Sequence, residues 1–354
     1  MAERYCQGCG AQIQSAEPNN FGFVPDHLLT EDSILCQRCF RINHYGRDEL
    51  GAVSAQDSLD SISAGVAWAS GVVLVVDLID FESGFPSELV SLVQDKPMIL
   101  AVNKVDLIPK PTPLQEVEFW VAQRLKDYGL PKVKVCLVSA VTGYGFPALA
   151  DSILTLGKKV IFAGVTNVGK SSVLQRLLQM RLGGRKWTNT KPTVSPYPGT
   201  TVSVSRWHCP GDLVLADSPG YVPVGRISDL VSSQQAVEII PHRSLSSHLY
   251  PIKVGDLVVI KDLCAVECLE VKGEGLLIGF TGSGVHWQKS SIKHGEKWLD
   301  PKWQGYLVRL RPREDLVING LGWVSARKAE FKLRLSIPQQ VEFSVRPNLI
   351  GPKK

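Results

Sequence analysis

The stretch between Lys158 and Met180 limits what this chain can fold into more than any other. An apolar strand pattern over Lys158–Val165 runs straight into Gly164-Val-Thr-Asn-Val-Gly169-Lys170-Ser171, and a helical pattern follows over Ser172–Met180. Strand, glycine-bearing loop and helix in that order make the phosphate-binding pattern G-x-x-x-x-G-K-[ST] in the setting it requires. Gly164 and Gly169 let the backbone close on a phosphate, so Thr166, Asn167, Val168 and the following Ser172 belong to the same cradle. Lys170 neutralises the β and γ oxygens, and the Ser171 hydroxyl is offered to magnesium.

The flanking sequence supplies the sheet such a loop needs. Apolar runs at Gly71–Ile79, Met98–Val102, Val133–Val138, Val160–Gly164, Val202–Trp207 and Asp212–Ala216 read as strands. Helical periodicity at Pro86–Val93, Leu114–Tyr128 and Phe146–Leu156 separates the first four. Strand and helix in alternation predict an α/β unit with a mostly parallel sheet.

A phosphate loop serves ATP as well as GTP, so the base must be read elsewhere. Asn103-Lys104-Val-Asp106 stands at the end of an apolar strand, where the Asp106 carboxylate can accept hydrogen bonds from the ring nitrogen and exocyclic amine of guanine. Adenine offers no such donor pair. About 30 residues on, Ser139-Ala140 ends another strand with the small residues that pack beneath a guanine. Asp217-Ser-Pro-Gly220 follows the strand Leu213–Ala216; its Asp217 holds magnesium through water and its Gly220 can sense a γ-phosphate. Pro198-Gly-Thr200-Thr201 adds hydroxyls for magnesium and the γ-phosphate, with either threonine open as the ligand. The catalytic set read from these motifs is Lys170, Asp217, Gly220, Thr200 and Thr201.

The order of these pieces is informative. In an ordinary small GTPase the phosphate loop opens the domain and the base-reading motifs close it. Here Asn103–Asp106 and Ser139–Ala140 come first, then Gly164–Ser171, Thr200–Thr201 and Asp217–Gly220. The cycle is cut before the strand Val72–Asp77, a circular permutation that keeps strand neighbours while moving the termini. The loop at Asp217–Gly220 then adjoins the carboxyl-terminal part of the chain directly.

Two further segments flank this one, dividing the chain into 1–50, 55–228 and 229–354. The first holds Cys6, Cys9, Cys36 and Cys39, two Cys-X-X-Cys knuckles separated by 26 residues. Without a long apolar period it needs a staple, and four thiolates suit a closed, structural zinc site. The third segment has short β runs at Leu257–Ile260, Leu276–Phe280, Tyr306–Leu310 and Phe331–Leu335, which predict a mainly β domain. Residues 221–354 carry 19 Lys and Arg against 13 Asp and Glu, which hints at a polyanion. Aromatic and basic residues interleave from His286-Trp287 through Lys297-Trp298 and Lys302-Trp303 to Arg313, a spacing that suits phosphate contacts beside base-stacking rings. Cys264 and Cys268 read as packed cysteines, as do Cys136 and Cys209.

No run of about 18 apolar residues is present, which excludes a membrane-spanning helix. The amino terminus lacks a signal core, so a cytoplasmic location, or the stroma of a plastid, is expected.

The chain resembles the YqeH family of circularly permuted, ribosome-associated GTPases. The resemblance is carried by Cys6-Gln-Gly-Cys9-Gly, Cys36-Gln-Arg-Cys39-Phe-Arg, Asn103-Lys-Val-Asp-Leu-Ile-Pro109, Gly164–Ser171, Pro198–Thr201 and Gly320-Leu-Gly-Trp-Val324. It implies GTP and GDP as ligands, magnesium, zinc, and a role in assembling the small ribosomal subunit through rRNA or ribosomal protein. A nucleotide-gated scaffold for a protein or peptide partner is the alternative. Tyr221 stands where many GTPases have a water-orienting glutamine. Asn167 matches the asparagine with which potassium-dependent relatives hold a monovalent cation, so slow hydrolysis raised by potassium is expected.

Overall fold

The computed structural model describes residues 12–16, 23–25, 29, 36, 55–110, 112–182, 185–186, 204–260 and 262–351. Cys6, Cys9, Cys39, Thr200 and Thr201 lie outside these residues; Cys36 lies within them and is buried. The chain forms two compact units, one of Met1–Val105 with Val121–Pro223 and the other of Asp106–Trp120 with Val224–Lys354. The residues that follow Val105, as far as Trp120, cluster with the carboxyl-terminal part.

In the first unit, strands β1 (Gly71–Asp77), β2 (Met98–Asn103), β3 (Lys134–Leu137), β4 (Lys159–Ala163), β7 (Ser205–Cys209) and β8 (Leu213–Asp217) form one sheet in the order β3-β2-β1-β4-β8-β7. The short pair β5 (Arg181–Leu182) and β6 (Arg185–Lys186) stands apart from it. All neighbours are parallel except β7, which runs antiparallel to β8 at the edge. β1 is buried along its whole length, as a Val- and Leu-rich strand covered on both faces should be. The chain fills one side of the sheet with β1, β2 and β3, then crosses to the other with β4 and β8. The order of strands therefore reverses between β1 and β4, the kind of crevice where open α/β sheets bind ligands.

Helices α1 (Ala55–Trp68), α2 (Ser87–Val93), α4 (Phe146–Ile153) and α5 (Lys170–Gln179) connect or cover these strands, and α3 (Leu114–Asp127) precedes β3. Helix α1 escapes a periodicity reading because its sequence is rich in serine. Its buried stripe is Ser58, Ile62, Gly65 and Val66, helical in spacing but mostly small in side chain. At Gly65 an added Cβ would stand 2.3 Å from Ile161 Cδ1, so the small residue sets how closely α1 meets β4. The expected helix over Phe146–Leu156 ends at Ile153 and tightens into a 3-10 turn, Leu154–Leu156.

The second unit is a sandwich of two five-stranded antiparallel sheets. One has the order β13-β10-β11-β17-β14, with β10 (Asp256–Ile260), β11 (Cys264–Lys272), β13 (Trp287–Ser291), β14 (Trp303–Leu310) and β17 (Glu330–Pro338). The other runs β18-β15-β16-β12-β9, with β9 (Ser246–Pro251), β12 (Leu276–Thr281), β15 (Glu314–Ile318), β16 (Gly322–Ala326) and β18 (Phe343–Pro347). Inward residues of both, among them Val266, Cys268, Leu316, Val324, Phe331 and Leu333, share one core. Burial alternates along β17 with the period of two that this packing demands.

Candidate nucleotide site

Register brings the chemistry to one edge of the first unit's sheet. Asp77 at the end of β1 pairs with Asn103 at the end of β2, and Phe162 near the end of β4 pairs with Asp217 at the end of β8. Leu137, two residues before Ser139, ends β3 beside Val102. The carboxyl ends of five parallel strands thus present Asp77, Asn103, Ser139, Gly164 and Asp217 along one line.

Between β4 and α5 the backbone takes the left-handed region at Asn167 (φ 67°) and Gly169 (φ 83°). An added Cβ at Gly164 would meet the Val75 carbonyl oxygen at 2.4 Å, and one at Gly169 would meet Asn103 Nδ2 at the same distance. A concavity of this shape admits a phosphate only because no side chains occupy it. Asn167 Nδ2 is buried without a partner.

Lys170 opens α5 and is buried. Its Nζ donates to Asp217 Oδ1 at 2.7 Å, while Ser171 Oγ donates to Asp217 Oδ2 at 2.6 Å. An ammonium for phosphate oxygens and two hard oxygen donors for magnesium are therefore gathered within one cluster.

Asn103 ties the end of β2 to the loops that follow β4 and β3. Its Nδ2 donates to the Val168 carbonyl at 2.9 Å, and its Oδ1 accepts from the Ala140 N–H at 3.1 Å. Lys104 adopts φ 67° and donates from Nζ to Asp77 Oδ2 at 2.6 Å. Asp77 also accepts the Ile79 N–H at 2.8 Å through Oδ1. Sequence reasoning missed Asp77, although its place at the end of an apolar run, aligned with Val102-Asn103, was a usable signal. Ser139 Oγ accepts from the Thr142 N–H, and Gly143 N–H bonds the Ser139 carbonyl, so the loop after β3 is closed on itself. Asp106 stands three positions beyond Asn103, in the 3-10 turn Val105–Leu107 that leads into the second unit.

The Asp217–Gly220 loop is joined to the phosphate loop by backbone pairing. Thr166 N–H donates to the Tyr221 carbonyl at 2.8 Å, and Tyr221 N–H donates to the Gly164 carbonyl at 3.1 Å. Tyr221 is buried; that burial, with Glu88 nearby, holds its phenol above the usual range and neutral.

In the second unit the interleaved aromatics are largely packed. Trp287 stacks with His248 and Tyr250 at 5.6 and 6.0 Å, and its indole N–H donates to Thr281 Oγ1 at 2.8 Å. Trp298 and Trp303 pack against Leu257, Val259 and Ala265. Several basic residues face carboxylates across strands: Arg334 with Glu267, Lys332 with Glu270, Arg309 with Glu330 and Lys289 with Asp256. Cys264 and Cys268 are buried, and burial raises both thiols.

Residues 159–259 match the family described as "50S ribosome-binding GTPase". The match begins at β4, so β1, β2 and β3 lie upstream of it. The chain is 27% identical to "Uncharacterized protein YqeH" of Bacillus subtilis, covering 99% of this chain and 100% of that one. It is 25% identical to "NO-associated protein 1, chloroplastic/mitochondrial" of Arabidopsis thaliana, covering 97% and 76%. Over 36% of its length it is 31% identical to "Small ribosomal subunit biogenesis GTPase RsgA" of Marinobacter nauticus, of which it spans 34%.

Proposed function

We propose that this chain is a circularly permuted GTPase of the YqeH family, which binds GTP with magnesium, hydrolyses it slowly and uses the cycle to assist assembly of the small ribosomal subunit. The observation that carries the reading is the Lys170–Asp217–Ser171 cluster beside the open phosphate cradle. GTP would draw Lys170 onto its β and γ oxygens and leave Asp217 and Ser171 to magnesium, Asp217 through water. Thr200 or Thr201 completes the magnesium shell. Asp106 accepts from guanine, Ser139 and Ala140 pack beneath it, and Gly220 reports the γ-phosphate.

Tyr221 offers no amide to orient water, so charge stabilisation carries more of the barrier. Asn167 holds potassium against the β and γ phosphates in this reading, where the cation does what an arginine finger does elsewhere. Cys6, Cys9, Cys36 and Cys39 hold a structural zinc. The zinc segment and the β domain are the arms that meet rRNA or ribosomal protein, in a bacterial cytoplasm or a plastid stroma. Among the described residues no helix is long and apolar enough to cross a membrane.

Calorimetric titration with GDP, GTP and ATP, on the wild type and on Asp106→Asn, tests the pocket. Guanine nucleotides should bind, ATP should not, and the variant should lose GDP; equal binding of ATP would overturn the reading. GTP turnover should rise when potassium replaces sodium and when small, but not large, ribosomal subunits are added. Metal analysis of the purified chain should find zinc, lost on substitution of Cys36.

The cross-strand ion pairs of the β domain favour a second reading, a GTP-gated scaffold for a protein partner. Paired cations leave less uncompensated charge for a phosphate backbone. Turnover indifferent to ribosomal subunits would select it.

A further inference from the structure

The loop after β3 turns its tip to water, with Val141 77% exposed and Thr142 exposed beside it. Its backbone closes on itself: the Ser139 N–H donates to the Tyr144 carbonyl at 3.1 Å and the Gly143 N–H to the Ser139 carbonyl at 2.8 Å. Gly143 and Gly145 take φ 84° and 76°, the left-handed region that glycine enters without strain. A segment with so little buried apolar surface opens easily unless polar contacts hold it.

Arg176 supplies one from outside the loop. It stands on α5, six residues after Lys170 and so about 9 Å further along the helix axis. The buried residues Val173, Leu174, Leu177 and Leu178 seat that helix on β4 and β8. Arg176 Nη2 donates to the Thr142 carbonyl at 3.5 Å. The guanidinium also lies against Gly143, where an added Cβ would collide with Nη2 and stand 3.2 Å from Cζ and 3.3 Å from Nε. Position 143 therefore requires glycine twice, for its φ and for the room it leaves the arginine. Loop and helix both belong to the first unit. One helix thus begins at the phosphate cradle and reaches, through a side chain, the loop after β3.

We propose that Arg176 is a positioning residue for the nucleotide base: it fixes the Ser139–Tyr144 loop to the helix that opens with Lys170, so that base and phosphate contacts are set at one spacing before the ligand arrives. The proposal rests on the reading of Ser139 and Ala140 as the residues beneath guanine; Arg176 acts through the loop, not on the ligand. A planar guanidinium can lie flat on Gly143 while it bonds the carbonyl beside it, which fixes orientation as well as distance. A loop held in this way has less freedom to lose when the base binds, whereas the phosphate contacts draw nothing from it.

The test compares two ligands on the full chain: GDP, which engages base and phosphate sites, and inorganic tripolyphosphate, which engages the phosphate cradle alone. Arg176→Ala should weaken GDP by about tenfold, with tripolyphosphate affinity unchanged. Equal loss for both ligands, or no loss for GDP, would overturn the proposal. Amide hydrogen exchange without ligand gives a second readout. In Arg176→Ala the Gly143 amide should exchange about tenfold faster, while the Leu174 amide inside α5 keeps its wild-type rate. Unchanged exchange at Gly143 would also overturn the proposal, because the arginine would then not be what holds the loop. Failure of the guanine reading shows separately, as wild-type protein that binds ATP as tightly as GDP.

Discussion

Lys170 Nζ lies 2.7 Å from Asp217 Oδ1, with the two side chains only 6% and 4% exposed. Each is the other's counter-ion. Asp217→Asn strands a buried ammonium, at a cost of about 3 kcal/mol in a denaturant titration. Because GDP phosphates can neutralise Lys170, added GDP should recover most of that loss. Turnover should fall by about a hundredfold, since magnesium loses its carboxylate. A stability loss that GDP leaves untouched would mean the pair is structural only.

Gly220→Ala should separate binding from hydrolysis. Its Cβ would stand 2.9 Å from Thr166 Cγ2 and 3.0 Å from Thr166 Cα, beside the backbone bonds that join Tyr221 to the phosphate loop. The loop must shift away from Thr166 to admit the methyl group. Turnover should drop by about tenfold or more while GDP affinity, set by the cradle and the base, stays. Loss of GDP binding instead would show that the cradle depends on the Tyr221 pairing.

Asp77→Asn tests how Lys104 is held. The lysine keeps a left-handed backbone and a 2.6 Å bond to Asp77. Without the carboxylate charge the base-reading turn loses a fixed neighbour, and GDP affinity measured by calorimetry should fall by about fivefold, equivalent to roughly 1 kcal/mol. Unchanged affinity would remove Asp77 from the site.

Burial pushes the Cys268 thiol to about 11, with Asp256 and Glu267 adding to it, and the Cys209 thiol to about 11. A folded-state value above the ordinary 9.0 means that the folded chain keeps its protons longer than the unfolded one. The stability this gives is complete below pH 9.0 and is lost as pH rises from there towards about 11. Urea midpoints across that range should decline, and less steeply in Cys268→Ala. In the folded chain both thiols should resist a thiol reagent at neutral pH and react once it is unfolded.

Much of the nucleotide site was legible because its signals are local. Gly164–Ser171 carries its spacing within one loop, and Asn103–Asp106 and Asp217–Gly220 each follow an apolar run whose end marks a strand's carboxyl edge. Helix α1 was missed because Ser58 and Gly65 occupy a buried stripe that a hydrophobicity pattern does not register. The partners of Trp287 were missed for another reason. Tryptophan spaced among lysines reads as an exposed platform until register shows His248 and Tyr250 against its ring.

The sequence by itself determined the parts and their order: a phosphate loop between strand and helix, a base-reading turn placed ahead of it, and a β-rich segment after it. Short-range spacing suffices for this, since each motif works through backbone and side chains only a few residues apart. Only the tertiary structure decided which side chains hold those motifs in place. Lys170 meets Asp217 because β4 and β8 are neighbours in one sheet, and Arg176 meets the Thr142 carbonyl because β3 and β4, the strands before that loop and that helix, end at the same edge of it. Such contacts depend on strand order and register, which are set by how apolar faces pack together across the whole unit and leave no mark in the local spacing of residues.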